Sequence, residues 1–158
     1  VFRTLGWKWG LLVYVVDGLK GALPVIWLPG ALGLAAGWPW GVGFGLLAIL
    51  GHVRPVFLMG NGGGKGVATA SGAMLVVHPF ISLGLLLLWA LLSKTTKKAS
   101  ISSLVITVLL PVCIALAGKP GWEVGATVGI GVLVVIRHIP NLRRLRSGLE
   151  PSLPSKPT

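Results

Sequence analysis

A glycine-rich segment with one lysine carries the clearest chemical pattern in the sequence. Residues 62–66 read Gly62, Gly63, Gly64, Lys65 and Gly66, and an apolar stretch follows at once. Glycines let backbone N–H groups turn toward an anion, and the start of a helix adds positive potential. The pattern therefore predicts a phosphate-binding loop, although glycines alone would also suit a flexible membrane loop.

This loop differs from the Walker A loop of nucleoside triphosphatases. Met59 stands where that pattern requires glycine, and Gly66 stands where it requires serine or threonine. The difference argues against nucleotide hydrolysis. His52 and Pro55, just upstream, are further unusual residues of the same segment, and we include His52 among the candidate phosphate-binding residues.

A second candidate segment lies near the C-terminus, and it combines arginines with His138 and Glu150. Arg137, Asn141 and Arg144 are spaced i, i+4 and i+7, so they would share one face of a helix. Such a face could bind and orient a second anionic group. Several of these arginines also fit a basic tail held at the cytoplasmic surface.

Two smaller sequence elements could have either a structural or a functional role. Asp17 and Lys20 are three residues apart inside an apolar run, so they can pair, either to join helices or to serve a site. Ser100 lies where a basic loop enters an apolar run, and its hydroxyl could cap a helix or bind a ligand. His78 is interpreted as a hinge or interface residue.

The composition is that of a membrane protein. Of 158 residues, 54% are hydrophobic and only 11% are charged, whereas soluble domains carry about 25% charged residues. The net charge of +11 is better explained by basic loops on the cytoplasmic side than by nucleic-acid binding. Cys113 is the single cysteine, so there is no internal disulfide, and no Cys/His spacing predicts a metal site.

Five apolar runs should form the helices that position these segments. They cover about residues 10–28, 38–53, 67–92, 101–117 and 122–136. The third run contains His78-Pro79, and proline disfavours helix at the residue before it, so a short hairpin is predicted there. With that hairpin, twelve of the 14 Lys and Arg residues lie on one side of the membrane. The prediction is an all-α, polytopic membrane bundle of about six helical elements, with its C-terminus in the cytoplasm.

These segments together resemble the PlsY family of bacterial acyl-phosphate:glycerol-3-phosphate acyltransferases. The segment from Gly51 to Thr69 resembles the family's second motif, and Arg137, His138, Asn141, Arg144 and Glu150 resemble its third. The Asp17/Lys20/Gly21 element, Trp89 and the Ser100 region also fit. The family has seven helices, one more than predicted here.

The resemblance implies a reaction in the bacterial cell membrane. A fatty acyl group passes from acyl phosphate to glycerol 3-phosphate, which gives 1-acylglycerol 3-phosphate (lysophosphatidic acid) and phosphate, the first step of phospholipid synthesis. The family needs no metal or other cofactor, and its partners are these two substrates and membrane lipid, with no nucleic acid. Neither the motifs nor the composition indicates an oligomeric state.

The resemblance also distributes roles over the candidate residues. The expected catalytic residues are Lys65, His138, Asn141 and Ser100. The expected substrate-binding residues are Arg3, His52, Gly62, Gly63, Gly64, Gly66, Arg137, Arg144, Glu150, Asp17 and Lys20.

The chain departs from the family pattern at its beginning. Only Arg3 and Gly6 resemble the end of the family's first motif, so residues 1–150 are expected to be an acyltransferase domain without its first helix and most of its first motif, and the fragment alone is expected to be inactive. The glycine loop is one residue longer, and Asn61 replaces a common basic residue. Residues 151–158 are predicted to be a loosely ordered tail. The alternative function is a small membrane carrier or channel for a phosphorylated solute.

Overall fold

The computed structural model of the chain describes residues 6–34, 38–55, 59 and 62–153. These residues form six helices and no strand. The helices are α1 (Gly6–Ala31), α2 (Trp38–Val53), α3 (Val67–Val77), α4 (Pro79–Thr96), α5 (Ala99–Leu116) and α6 (Gly121–Arg146). Within the described ranges α1, α4, α5 and α6 are long and apolar enough to cross a membrane, and α2 and α3 are shorter apolar helices. The predicted all-α membrane bundle is confirmed.

The third apolar run is indeed divided at His78. Helix α3 ends at Val77 and α4 begins at Pro79. Proline is tolerated there because the first N–H group of a helix has no intrahelical acceptor, so its absence costs no hydrogen bond. His78 lies between them, and its Nε2 donates a 2.9 Å hydrogen bond to the buried carboxylate of Glu123 at the start of α6. His78 is therefore both hinge and interface residue, as the sequence predicted.

Helices α1 and α3 pack with their backbones almost in contact. A Cβ atom on Gly21 would lie 2.0 Å from the carbonyl oxygen of Thr69, and one on Gly72 would lie 1.9 Å from the carbonyl oxygen of Gly18. Small residues allow this approach, and close packing is a main source of helix association within a membrane. The contact fixes the start of α3 beside the middle of α1.

Contacts between neighbouring helices bring several chain segments to one end of the bundle. Hydrogen bonds join loop 62–66 to α6 through Arg137, and they join the α4–α5 connection to the tail through Lys97 and Lys98. We call this the basic end, because Lys65, Lys97, Lys98, Arg137 and Arg144 gather there. The opposite end, with His78 and Glu123, is the hinge end.

Helix α6 is longer than its apolar sequence suggests. The apolar run stops at Ile136, but the helix continues through Pro140 to Arg146. An internal proline costs one backbone hydrogen bond, and here the extension is held by buried contacts of His138 and Asn141. As a result, the second candidate segment is presented on a helix rather than on a loose tail.

Candidate phosphate site at the basic end

The glycine loop leads directly into the start of α3. Gly66 is the N-cap residue, with a φ of 86°, and Gly62 has a φ of 73°; both values favour glycine. No side chain caps α3, so its first N–H groups are not satisfied by a capping residue. Lys65 is exposed next to this helix start. Helix dipole and lysine together make a local anion site.

Arg137 holds the loop in shape. Its Nη2 donates a 2.6 Å hydrogen bond to the carbonyl oxygen of Gly63, and its Nε donates a 3.2 Å bond to that of Gly64. The guanidinium thereby covers two negative carbonyl dipoles that would otherwise repel a bound anion. The two candidate segments, more than 70 residues apart in sequence, meet through this side chain.

His52 supports the loop from the other side. The Gly64 N–H donates a 3.1 Å hydrogen bond to the His52 carbonyl, and a Cβ atom on Gly64 would lie 1.8 Å from His52 Nε2. The imidazole Nδ1 lies 3.7 Å from Asp17, which also pairs with Lys20 at 2.9 Å. The predicted Asp17–Lys20 pair is confirmed, and it stands beside the histidine that shapes the loop.

His138 is the most deeply buried of the candidate catalytic residues, with 1% of its surface exposed. Its Nδ1 donates a 2.8 Å hydrogen bond to the Val134 carbonyl, because a carbonyl oxygen can only accept. In the neutral ring, that bond leaves Nε2 as the acceptor nitrogen. Lys65 lies close enough to this ring to act on it electrostatically, so the fold brings these two predicted catalytic residues near one another.

Asn141 and Arg144 are bonded to the chain's own carboxylate. Asn141 Nδ2 donates to Glu150 Oε1 at 2.7 Å, and Arg144 Nε donates to Glu150 Oε2 at 2.9 Å. Two residues of the predicted face, Asn141 and Arg144, therefore bind the carboxylate of Glu150, whereas Arg137 bonds the glycine loop. The binding of a second anionic substrate group by this face stays a prediction. The amide oxygen of Asn141 is buried and has no hydrogen-bond partner among the described residues.

The buried Glu150 carboxylate remains easy to ionise. Burial alone would raise the pKa of this side chain, but the hydrogen bond from Asn141, the nearby Ser100 hydroxyl and the bond and charge of Arg144 outweigh that effect and lower it. Glu150 is thus held as an anion at neutral pH. Its bond to Nδ2 fixes the orientation of the buried Asn141 amide.

The tail also docks on the α4–α5 connection. Lys98 Nζ donates to the Glu150 carbonyl, and the Leu153 N–H donates to the Lys97 carbonyl at 2.6 Å. The sequence did not single out Lys98 for this contact, since it counted only among the basic residues that indicate membrane orientation. Residues 151–153 are therefore attached to the bundle.

Ser100 lies beside this cluster but does not cap its helix. The N-cap residue of α5 is Lys98, with no side-chain cap bond. The Ser100 hydroxyl is buried and approaches Glu150 without meeting hydrogen-bond geometry, and no other described residue bonds it. The capping interpretation was therefore wrong. Arg3, a predicted substrate-binding residue, lies outside the described residues.

The described residues contain no group of three or more His, Cys, Asp or Glu side chains that could hold a metal ion. Cationic groups dominate the basic end instead. The arrangement can bind phosphate groups between a helix start, a lysine and a buried histidine.

Comparison with known proteins connects this site to one enzyme family. The family model described as glycerol-3-phosphate acyltransferase matches residues 1–148. The chain is 42% identical over 150 residues to the glycerol-3-phosphate acyltransferase of Geobacter sulfurreducens, covering 95% of this chain and 75% of that protein. It is 36% identical over 151 residues to the corresponding protein of Aquifex aeolicus, covering 95% and 77%.

Solved structures show the same fold. The crystal structure of PlsY (YgiH), an integral membrane glycerol 3-phosphate acyltransferase, in its glycerol 3-phosphate form matches with a TM-score of 0.86 and 34% identity, over 98% of this chain and 76% of that one. The lysophosphatidic acid form matches with a TM-score of 0.85 and 34% identity, over 98% and 77%. The family match covers nearly the whole chain, and the relatives share both sequence and fold. This chain therefore belongs to the glycerol-3-phosphate acyltransferase family and is an integral membrane acyltransferase.

Proposed function

We propose that the enzyme transfers a fatty acyl group from acyl phosphate to glycerol 3-phosphate. A glycerol hydroxyl oxygen attacks the acyl carbonyl carbon, and the bond from that carbon to the phosphate oxygen breaks. The products are 1-acylglycerol 3-phosphate and inorganic phosphate. The hydroxyl proton goes to a phosphate oxygen of the substrates, so no protein base is required.

The observation that carries this proposal is the pair of bonds from Arg137 to Gly63 and Gly64. They bring the glycine loop, with Lys65 and the start of α3, against the helix that carries His138. Both substrates are anionic at the reacting end, and two adjacent cationic segments give each a binding place. The two anions repel one another in water, so bringing them into alignment is a large part of the activation barrier. A site that binds both anions lowers this part of the barrier.

The glycine loop is the proposed binding place of the leaving phosphate. Lys65 and the helix start stabilise the negative charge that grows on this group as the acyl bond breaks. Arg137 acts as a positioning residue, since its guanidinium is bonded to the loop carbonyls. Arg3, which is outside the described residues, keeps its proposed role in binding the same phosphate.

His138 and Asn141 are the proposed binding residues for glycerol 3-phosphate. The Nε2 atom of His138 can accept from a hydroxyl, because Nδ1 is committed to the Val134 carbonyl. The Asn141 amide oxygen, buried and without a partner among the described atoms, offers a second acceptor. Two such acceptors would hold the glycerol hydroxyls in line for attack.

Direct transfer is favoured over an acyl-enzyme intermediate. A serine nucleophile needs an adjacent base that can take its proton, and the carboxylate near Ser100, that of Glu150, is bonded to Asn141 and Arg144 and is a weak base because its pKa is lowered. We propose that Ser100 binds substrate rather than attacking it. Isolation of an acylated protein during turnover would contradict this step.

The proposed site opens on the cytoplasm. Apart from Lys20, which lies within α1, and Lys119 at the hinge end, the described Lys and Arg residues lie at or near the basic end. Segments rich in these residues stay on the cytoplasmic side of bacterial membranes. A site at the boundary between membrane and cytoplasm can be reached both by a hydrophobic acyl chain and by the polar acceptor, glycerol 3-phosphate.

The direct test is a product assay with the purified complete enzyme in detergent. Palmitoyl phosphate and labelled glycerol 3-phosphate should give labelled 1-acylglycerol 3-phosphate, while palmitoyl-CoA as donor should give none. Product from palmitoyl-CoA at a similar rate would overturn the choice of donor. Absence of product with both donors, together with vesicle uptake of unchanged glycerol 3-phosphate, would favour the carrier.

A further inference from the structure

The segment after α6 folds back on the bundle and buries Glu150. The N–H groups of Leu149 and Glu150 both donate to the Arg144 carbonyl, at 2.8 and 3.1 Å, and these bonds turn the chain back toward α6. Only 3% of the surface of Glu150 is then exposed. Its backbone carbonyl is largely removed from water, so it needs a hydrogen-bond donor from the protein.

Lys98 supplies that donor from a different part of the chain. Its Nζ donates to the Glu150 carbonyl oxygen, 52 positions later in the sequence. The Lys98 side chain is only partly exposed, and a bond from a charged donor is stronger than one from a neutral donor. Glu150 is therefore held twice, by Lys98 at its main chain and by Asn141 and Arg144 at its carboxylate.

The backbone of Lys98 is itself bonded to both neighbouring helices. The Lys98 N–H donates to Thr96 Oγ1 at 3.2 Å, and that hydroxyl donates to the Leu92 carbonyl of α4 at 2.7 Å. Lys98 is also the N-cap residue of α5, and its carbonyl accepts from the Ile101 N–H at 3.1 Å. The ammonium group thus extends from a connection whose position is fixed by α4 and α5.

The position of Glu150 decides where the Asn141 amide oxygen points. An ionised carboxylate can only accept hydrogen bonds, so Asn141 must turn its Nδ2 toward Glu150 Oε1, at 2.7 Å. The amide oxygen then faces away from the carboxylate, where it is buried and has no hydrogen-bond partner among the described atoms. A displacement of Glu150 would therefore also displace or turn this oxygen.

We propose that Lys98 is a positioning residue for the acceptor substrate, acting through Glu150 on the Asn141 amide. The inference rests on the proposed function, since glycerol 3-phosphate is assigned there to His138 and Asn141. The bond from Lys98 to the Glu150 carbonyl keeps the carboxylate in place. The carboxylate in turn keeps the Asn141 oxygen directed at a glycerol hydroxyl, without any contact between Lys98 and the substrate.

The test is steady-state kinetics of the purified complete enzyme with palmitoyl phosphate and glycerol 3-phosphate. Lys98→Met removes the charged donor and keeps an unbranched side chain, so KM for glycerol 3-phosphate should rise on the order of tenfold. KM for palmitoyl phosphate should stay at the wild-type value, because the glycine loop is unchanged. Lys98→Arg retains a charged donor and should recover most of the loss.

Lys94→Met is the matched control, because it removes the same charge from an exposed side chain in the last turn of α4. Both of its KM values should match wild type. Equal changes in Lys94→Met and Lys98→Met would indicate an effect of net charge alone and would overturn the positioning role. A wild-type KM for glycerol 3-phosphate in Lys98→Met would overturn it as well.

An Asn141→Ala background distinguishes positioning from a general loss of structure. In that background KM for glycerol 3-phosphate is already raised, and adding Lys98→Met should raise it no further. A second increase of the same size would mean that Lys98 does not act through Asn141. Should Lys98→Met fail to fold, Lys98→Gln, with a shorter and neutral donor, decides by the same comparison of KM values.

The outcome for wild type separates this inference from the proposed function. A wild-type complete enzyme that forms no 1-acylglycerol 3-phosphate would overturn the proposed function, and this inference with it. An active wild type with unchanged kinetics in the Lys98 variants would overturn this inference alone.

Discussion

The guanidinium of Arg137 lies 2.6 Å from the carbonyl oxygen of Gly63, which is 74 positions earlier in the chain. This bond crosses from the end of α6 to the loop before α3. It joins two cationic motifs that are distant in sequence, so that they lie in one proposed site. The proposed chemistry therefore depends on the shape of this loop as much as on its charge.

Replacing Arg137 by lysine should impair the enzyme despite the retained charge. Lysine cannot form the two-point contact with the Gly63 and Gly64 carbonyls, and loss of a charged hydrogen bond of this kind costs about 2 kcal/mol. We expect kcat/KM to fall by one to two orders of magnitude. Arg146→Lys, at the exposed end of the same helix, is the matched control and should stay near wild type. Equal activities of the two variants would contradict the positioning role.

Glycine at position 63 should be irreplaceable for a steric reason. An added Cβ would lie 1.9 Å from the carbonyl oxygen of Val53, which is backbone and has no rotamer to change. Gly63→Ala should therefore abolish product formation. Gly84→Ala, where a Cβ meets nothing within 4 Å, should keep full activity and the wild-type melting temperature. An active Gly63→Ala enzyme would mean that the loop is not held as described.

Glu150 should make tail docking dependent on pH. Its pKa is lowered in the folded state, so the carboxylate stabilises the fold at neutral pH, and the contribution is lost as the pH falls through that lowered value. Glu150→Gln has no such charge and should melt at a lower temperature at neutral pH. The difference in Tm between the two proteins should shrink as the pH drops below the ordinary pKa of glutamate. A constant difference across that range would contradict the ionised state of Glu150.

Labelling of single cysteines in intact cells should establish the orientation. In a Cys113→Ala background, a cysteine at Lys119 should react with a membrane-impermeant maleimide, and one at Ser147 should react only after the cells are opened. Lys119 follows α5 at the hinge end, and Ser147 ends α6 at the basic end. The reverse pattern would place the site on the outer face.

Parts of this structure follow from local sequence properties. The hairpin at His78-Pro79 could be predicted, because proline limits the residue before it and the distribution of basic residues required an even number of crossings. The Asp17–Lys20 pair follows from helical spacing alone. Both features depend on residues close together in the chain.

Other parts depend on tertiary contacts that the sequence does not display. The continuation of α6 past Pro140 needs the contacts of Asn141, and those exist only because Glu150 folds back on the helix. The pairing of His78 with Glu123 joins positions 45 residues apart. Spacing placed Asn141 and Arg144 on one face of α6, but only the fold shows that both bond the Glu150 carboxylate.

The most direct test of the account is a double-mutant cycle on Lys65 and His138. We expect Lys65→Ala and His138→Ala each to lower kcat/KM with palmitoyl phosphate and glycerol 3-phosphate by at least about a hundredfold, a typical loss for an electrostatic or acid–base group. The double variant should lose less than the product of the two effects, because the residues act on one transition state. Near-normal turnover in both single variants, measured in the complete enzyme, would contradict the proposed site.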